Sequence, residues 1–104
     1  MKLLTKEIRR RLPPLYSSER GKDPIVQVKF FCPWSDWTWY ATEFDGEELF
    51  FGLVEGFETE WGYFSLSEME SVRVFGAVPA IERDMSFDPT PISKLNIRGL
   101  RKTV

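Results

Sequence analysis

Residues 37–64 read WTWYATEFDGEELFFGLVEGFETEWGYF, and this stretch decides the fold. Side chains alternate between two faces over residues 37–42 of a predicted strand at 37–44, and again along a predicted strand at 57–64, which is typical of strands with one buried face. Residues 48–54 are apolar on both faces, as in a central strand that is covered on both sides. An Asp-Gly pair at 45–46 is a strong hairpin signal. The pattern therefore predicts three consecutive antiparallel strands.

Elements on either side of this stretch complete a small domain. Residues 25–31 alternate as a further strand. Helix-capping patterns precede two short apolar-striped segments, at residues 6–12 and at residues 67–72. We therefore expect a single α+β domain over residues 1–90, with an antiparallel sheet of four or five strands and two short helices. A basic C-terminal tail is expected over residues 91–104.

Charge is divided along the chain, although the net charge is only -2. Residues 1–29 carry a net charge of +5 and residues 73–104 carry +3, whereas residues 30–72 contain ten acids and no Lys or Arg. Thirteen of the sixteen aromatic residues lie in the same acidic block. Two explanations fit this pattern. The basic ends neutralise the acidic block within the fold, or the block forms a surface that charge steers toward a basic partner.

Composition excludes several classes of function. The chain has no histidine, which removes Ser-His-Asp and Cys-His catalysis and two-histidine metal sites. Its lone cysteine, Cys32, cannot form an internal disulfide, so a reducing cytoplasm is the expected compartment. No apolar stretch is long enough for a signal peptide or a membrane span. We expect a protein that is not an enzyme and that holds no metal or cofactor.

The acidic, aromatic block contains the residues expected to carry the function. Exposed tryptophan anchors many protein interfaces, and carboxylates around it favour a protein partner with a basic surface over a phosphate backbone. We therefore expect a non-catalytic protein-binding module. The predicted contact residues are Trp34, Trp37, Trp39, Glu43, Glu58 and Glu60.

Two alternatives remain open at this point. The basic ends would allow direct contact with nucleic acid. The residues for that contact are Arg9, Arg10, Arg11, Arg98, Arg101 and Lys102. A carboxylate-based enzyme is the second alternative, because Glu58 and Glu60 would share one face of a predicted strand. The sequence does not define an oligomeric state.

Three segments carry a resemblance to a known family. They are LLTKEIRRRLPPLYSSE at 3–19, KFFCPWSDWTWYATEFDGEELFFGLVEGFETEWGYFSLSEMESVR at 29–73, and IERDMSF at 81–87. Together they resemble the bacterial family known as domain of unknown function 2958. The resemblance implies a small cytoplasmic protein associated with mobile genetic elements or phage-like regions. It implies no catalytic residues. Inhibition of a host defence complex, restriction or CRISPR, is one role compatible with that setting.

Overall fold

A five-stranded antiparallel sheet forms the centre of the computed structural model, which describes residues 2–17, 22–97 and 99. The strands are β1 Ile25–Val26, β2 Val28–Phe31, β3 Thr38–Phe44, β4 Leu49–Glu55, β5 Thr59–Ser65, β6 Arg73–Val74, β7 Val78–Pro79, β8 Glu82–Arg83 and β9 Thr90–Pro91. The strands of the central sheet lie in the order β5-β4-β3-β2-β8, and two further two-stranded pairings join β1 to β9 and β6 to β7. The expected α+β class is confirmed. The helices are α1 Lys6–Arg11, α2 Leu66–Ser71 and a 3-10 turn at Ile92–Lys94.

The pairing of β3 with β4 contains a bulge. The register runs regularly up to Ala41 opposite Gly52 and resumes at Glu43 opposite Phe51, so Thr42 is an extra residue in β3. An extra residue moves every later side chain to the other face of the sheet. Phe44 consequently lies on the same face as Ala41, and Glu43 lies on the opposite face.

Gly52 allows β3 and β4 to approach closely beside this bulge. A Cβ atom at position 52 would lie 1.9 Å from the carbonyl oxygen of Tyr40. No side chain fits at that distance, so the sheet requires glycine here.

Both helices cover the face of the sheet that carries Ala41 and Phe44, which is called the first face below; the opposite face is the second face. Phe50 stacks on Phe44 and on Phe64, with ring centroids 4.4 Å and 5.2 Å apart. Thr5 caps α1 by accepting a hydrogen bond from the backbone N–H of Ile8 at 3.1 Å. The apolar side chains that pack over these rings from the N-terminal segment and from α2 are Leu3, Leu4, Leu12, Leu66 and Met69.

The second face is covered by the C-terminal part of the domain. Ile92 and Ile97 are buried against Tyr40 and Leu53. The packed domain therefore extends to Ile97, beyond the expected boundary at residue 90, because Ile92 and Ile97 cover the apolar side chains on this side of the sheet.

Burial on this face also raises the pKa of Tyr40 to about 12, with a smaller contribution from the adjacent Glu55 carboxylate.

Two acids form hydrogen bonds at the end of the sheet where the β3–β4 turn lies. Asp45 Oδ1 accepts hydrogen bonds from the backbone N–H groups of residues 47–49 at 2.7–3.0 Å. The Glu48 carboxylate accepts from the Ser65 hydroxyl at 2.8 Å and from the backbone N–H and hydroxyl of Ser67. These bonds join the β3–β4 turn to the start of α2. They favour the ionised carboxylates, so the pKa values of Asp45 and Glu48 lie below their usual range.

Glu48 should therefore make stability depend on acid pH. Because the folded-state pKa of Glu48 is lowered, its contribution to stability is complete above the ordinary value of 4.5 and is lost as pH falls through the folded-state pKa. We expect the Glu48→Gln variant to have a lower Tm at pH 7 and a flatter dependence of Tm on pH below 4.5. Thermal unfolding followed by circular dichroism tests this, and parallel pH profiles for the two proteins would contradict it.

Candidate protein-binding surface

Three loops place aromatic side chains at one end of the sheet. The β2–β3 loop carries Trp34 and Trp37, the β4–β5 turn carries Phe57, and the β6–β7 turn carries Phe75. These four residues are called the aromatic end below. Phe57 is 94% exposed, Phe75 is 81% exposed and Trp34 is 55% exposed. Exposure this large is unusual for aromatic side chains and indicates an interaction surface.

Ring contacts connect the aromatic end to the sheet. Trp37 contacts Phe57 edge-on, with centroids 5.3 Å apart, and lies 5.9 Å from Trp39. Trp34 contacts Phe75 edge-on at 5.2 Å. Trp39 is half-buried and packs against the core of the first face. Trp39 thus supports the surface, whereas Trp34 and Trp37 belong to it.

Gly56 shapes the β4–β5 turn. A Cβ atom at position 56 would lie 2.6 Å from the Trp37 ring, so this ring rests directly on the glycine backbone. The sequence pattern placed Phe57 in a strand with Trp61 and Tyr63, but β5 begins at Thr59. Phe57 therefore lies in the turn and points to solvent. Gly56 was the available signal that a turn begins there.

Phe75 is held in an unfavourable backbone conformation. The backbone N–H of Ala77 donates to the carbonyl of Val74 at 3.2 Å and closes a turn over Phe75 and Gly76. Both central residues have positive φ values, 54° at Phe75 and 75° at Gly76. Asn-Gly is the usual pair in such a turn, and a bulky aromatic residue pays a steric cost there. Such strain is typical of residues retained for a function rather than for folding.

Exposed acids lie close to the aromatic end in the chain. Asp36 is in the β2–β3 loop, Glu58 follows Phe57, and Glu60 is on β5 opposite Val54. Glu58 and Glu60 are exposed, as predicted from the sequence pattern. Among the residues that the structure describes, none forms an ion pair with these three carboxylates. Their negative charge is therefore available to a partner.

Glu43 is not part of this surface, contrary to expectation. Regular alternation would place it beside Trp39, but the bulge at Thr42 turns it to the second face. Its side chain is fully buried there, and Oε1 accepts a hydrogen bond from the backbone N–H of Tyr16 at 2.9 Å. Tyr16 has a φ of 66°, and its hydroxyl accepts from that of Tyr63 at 2.7 Å. Glu43 thus fastens the segment after α1 to the sheet.

Replacing Glu43 should destabilise the protein. Glu43→Ala removes this acceptor from the backbone N–H of Tyr16 and leaves a cavity where the fully buried Glu43 side chain lay, so we expect a loss of about 2–4 kcal/mol in the free energy of unfolding. Glu43→Gln keeps an oxygen at this position and should cost less. Chemical denaturation of both variants tests whether Glu43→Ala loses more stability than Glu43→Gln does. Wild-type stability of Glu43→Ala would show that the carboxylate does not hold this segment.

The arginines of α1 make contacts within the fold. Arg9 lies over the Phe44 ring at 5.3 Å and donates to the carbonyl of Gly46. Arg11 donates to the backbone and side-chain oxygens of Gln27. All three arginines are exposed, so these contacts leave the predicted nucleic-acid contact by the three arginines untested. The other predicted contacts, Arg98, Arg101 and Lys102, lie outside the described residues.

A shallow groove of about 430 Å³ lies beside the aromatic end. Its lining includes Trp37, Asp36, Glu55, Lys29 and Phe31. Lys29 forms an ion pair with Asp84, at 3.7 Å. The groove is open to solvent and offers a partner side chain both an aromatic wall and carboxylates.

Neither a metal cluster nor a membrane-spanning helix is found in the part of the chain that the structure describes. Over residues 2–17 and 22–97, no three Cys, Asp or Glu side chains come together to hold a metal ion. Helices in the described ranges are too short and too polar to cross a bilayer.

A family model described as "Protein of unknown function (DUF2958)" matches residues 3–97. The chain belongs to this family. The match covers the helices, the whole sheet and the segment up to Ile97 that packs on its second face. No curated protein and no solved structure matches the chain. Membership of DUF2958 thus agrees with the resemblance read from the sequence and assigns no activity.

Proposed function

We propose that this DUF2958 protein is a non-catalytic module that binds a protein partner through its aromatic end. The exposure of Phe57 and Phe75 carries the proposal. Both side chains lie at turns where polar residues would fold at least as well, and each contacts a tryptophan of the β2–β3 loop. Clustered aromatic side chains of this kind are the usual anchors of protein interfaces.

The partner's surface is basic in this proposal. Asp36 and Glu58 flank the aromatic rings in sequence, and Glu60 follows on β5. Positive side chains on the partner would approach these carboxylates at the rim, while its apolar side chains cover the rings. Charge at the rim contributes mainly to the association rate and to orientation.

The proposal extends to the setting of the protein. We place it in the bacterial cytoplasm as an accessory factor of a mobile genetic element or phage. A host defence nucleoprotein complex is a suitable partner, because the surface that holds its nucleic acid is basic. An acidic, aromatic surface is complementary to such a site and would compete with the nucleic acid for it.

Substitution at the two turns should separate binding from folding. We expect Phe57→Ser with Phe75→Asn to reduce partner capture at least tenfold, since aromatic anchors dominate interface energetics. The Tm should not fall, because asparagine adopts the backbone conformation of residue 75 more readily than phenylalanine does. Each protein is immobilised and exposed to bacterial extract, and quantitative mass spectrometry measures which proteins are captured and how much of each.

Met85→Ser is the matched control, because Met85 is an exposed apolar residue beyond β8, outside the aromatic end. It should capture the same proteins as the wild type. Equal capture by the double variant and the control would exclude the aromatic end as the binding surface.

Charge reversal should act on the association rate. We expect Asp36→Lys with Glu58→Lys to slow association with the captured partner and to reduce the dependence of the rate on salt concentration. Asp88→Lys makes the same kind of change at an exposed acid elsewhere in the chain and should have a smaller effect. Surface plasmon resonance at several ionic strengths gives these rates. A rate unaffected by the double reversal would show that the partner does not recognise the acidic rim.

A further inference from the structure

The groove beside the aromatic end lies on the second face of the sheet. Its floor is a cross-strand row, because Phe31 of β2 is opposite Thr38 of β3, and Thr38 is opposite Glu55 of β4. All three residues are half-buried. Phe31 joins neither of the two buried clusters that the described residues form. Its partly exposed side chain therefore lines the groove instead of the core.

The β2–β3 loop forms the wall of the groove and is held by its own hydrogen bonds. The backbone N–H of Cys32 donates to the carbonyl of Trp37 at 3.0 Å, and that of Ser35 donates to the carbonyl of Cys32 at 3.1 Å. The Ser35 hydroxyl accepts from the backbone N–H of Trp37 at 3.2 Å. A wall that is already fixed loses little conformational entropy when a ligand binds to it.

Acids outnumber bases among the described residues that line the groove. Asp36 is exposed in the loop, and no described residue forms an ion pair with it. Glu55, at the floor, forms a hydrogen bond with the Tyr40 hydroxyl. The positive charge of Lys29 is compensated by Asp84, at 3.7 Å. The groove therefore favours a cation, and Asp36 is the carboxylate best placed to receive it.

We propose that this groove receives one arginine side chain of the partner. A guanidinium group is planar, so it can lie against the Phe31 ring while it forms paired hydrogen bonds to the Asp36 carboxylate. The groove volume of about 430 Å³ is sufficient for such a side chain. Lysine has a compact ammonium group that makes neither contact as well. This inference rests on the proposed function, since it names the partner side chain that the same end of the sheet recognises.

N-acetyl-arginine methylamide is the probe, added to the isotope-labelled full-length protein and followed by nuclear magnetic resonance. We expect chemical shift changes at the backbone amides of residues 31–38. The citrulline analogue has the same shape without the charge, so its dissociation constant should be about tenfold larger. The lysine analogue should also bind more weakly. Equal binding of the arginine and citrulline probes, or shift changes confined to other parts of the chain, would overturn the inference.

Two variants test the assigned contacts. Asp36→Asn removes the charge and keeps the shape, whereas Phe31→Leu removes the aromatic ring and keeps an apolar side chain. We expect each variant to raise the dissociation constant of the arginine probe about threefold or more, with unchanged amide shifts away from the groove. Asp88→Asn is the matched control at an exposed acid elsewhere and should bind the probe as the wild type does. If Asp36→Asn and Phe31→Leu also bind it as the wild type does, the groove is not the arginine site.

Partner capture separates failure of this inference from failure of the proposed function. Phe57→Ser with Phe75→Asn should bind the arginine probe normally, because neither residue lines the groove. If this double variant loses the partner while Asp36→Asn captures it at the wild-type level, the arginine assignment is wrong and the aromatic end stands. If the double variant keeps both the partner and the probe, the aromatic end is wrong and the groove remains an arginine site.

The chain's own basic tail is the competing occupant. Arg98→Gln with Arg101→Gln removes two guanidinium groups from the segment after Ile97. We expect this variant to bind the arginine probe with unchanged affinity. Tighter binding of the probe would show that the tail, and not a partner, supplies the arginine.

Discussion

The bulge at Thr42 is the constraint on which both faces of the sheet depend. Without it, the two-residue period would place Glu43 among the phenylalanines of the first face and Phe44 on the second. The extra residue brings Phe44 into the stack with Phe50. It also turns Glu43 toward the N–H of Tyr16, so the carboxylate is buried with a hydrogen-bond donor. At the bulge, the buried Thr42 hydroxyl donates a hydrogen bond to the carbonyl of Phe51 at 3.1 Å.

The two covered faces limit how many aromatic side chains the core can hold. Phe30, Phe44, Phe50 and Phe64 occupy the first face beneath the helices, and Ile92 and Ile97 of the C-terminal segment cover part of the second. Rings at the turns have no apolar layer above them. Phe57 and Phe75 are therefore exposed because of their position, and at residue 75 the backbone conformation opposes the side chain as well. Folding alone does not account for an aromatic residue there.

Local signals predicted part of the sheet, but they missed the start of β5 and the long-range packing of the chain. Alternation and the Asp45-Gly46 pair correctly predicted β3, β4 and the turn between them. The bulge does leave a trace in the sequence, since Thr42 and Glu43 are two consecutive polar residues and the alternation changes phase between Ala41 and Phe44. The packing of Ile92 on Tyr40 joins residues far apart in the chain, which periodicity does not detect. The pattern identified exposed Glu58 and Glu60 but missed the burial of Glu43, because the extra residue at Thr42 turns Glu43 to the other face of the sheet.

The acids of the block fall into two groups with different roles. Asp45, Glu48 and Glu43 accept hydrogen bonds from neutral donors and hold turns and segments in place. The α1 arginines Arg9 and Arg11 donate to oxygens of Gly46 and Gln27, so they do not neutralise the block by direct pairing. Lys29 does form an ion pair, at 3.7 Å, but its partner Asp84 lies outside the acidic block. The exposed carboxylates beside the aromatic end can therefore change without loss of the fold, which is the condition for a binding surface to evolve separately from its scaffold.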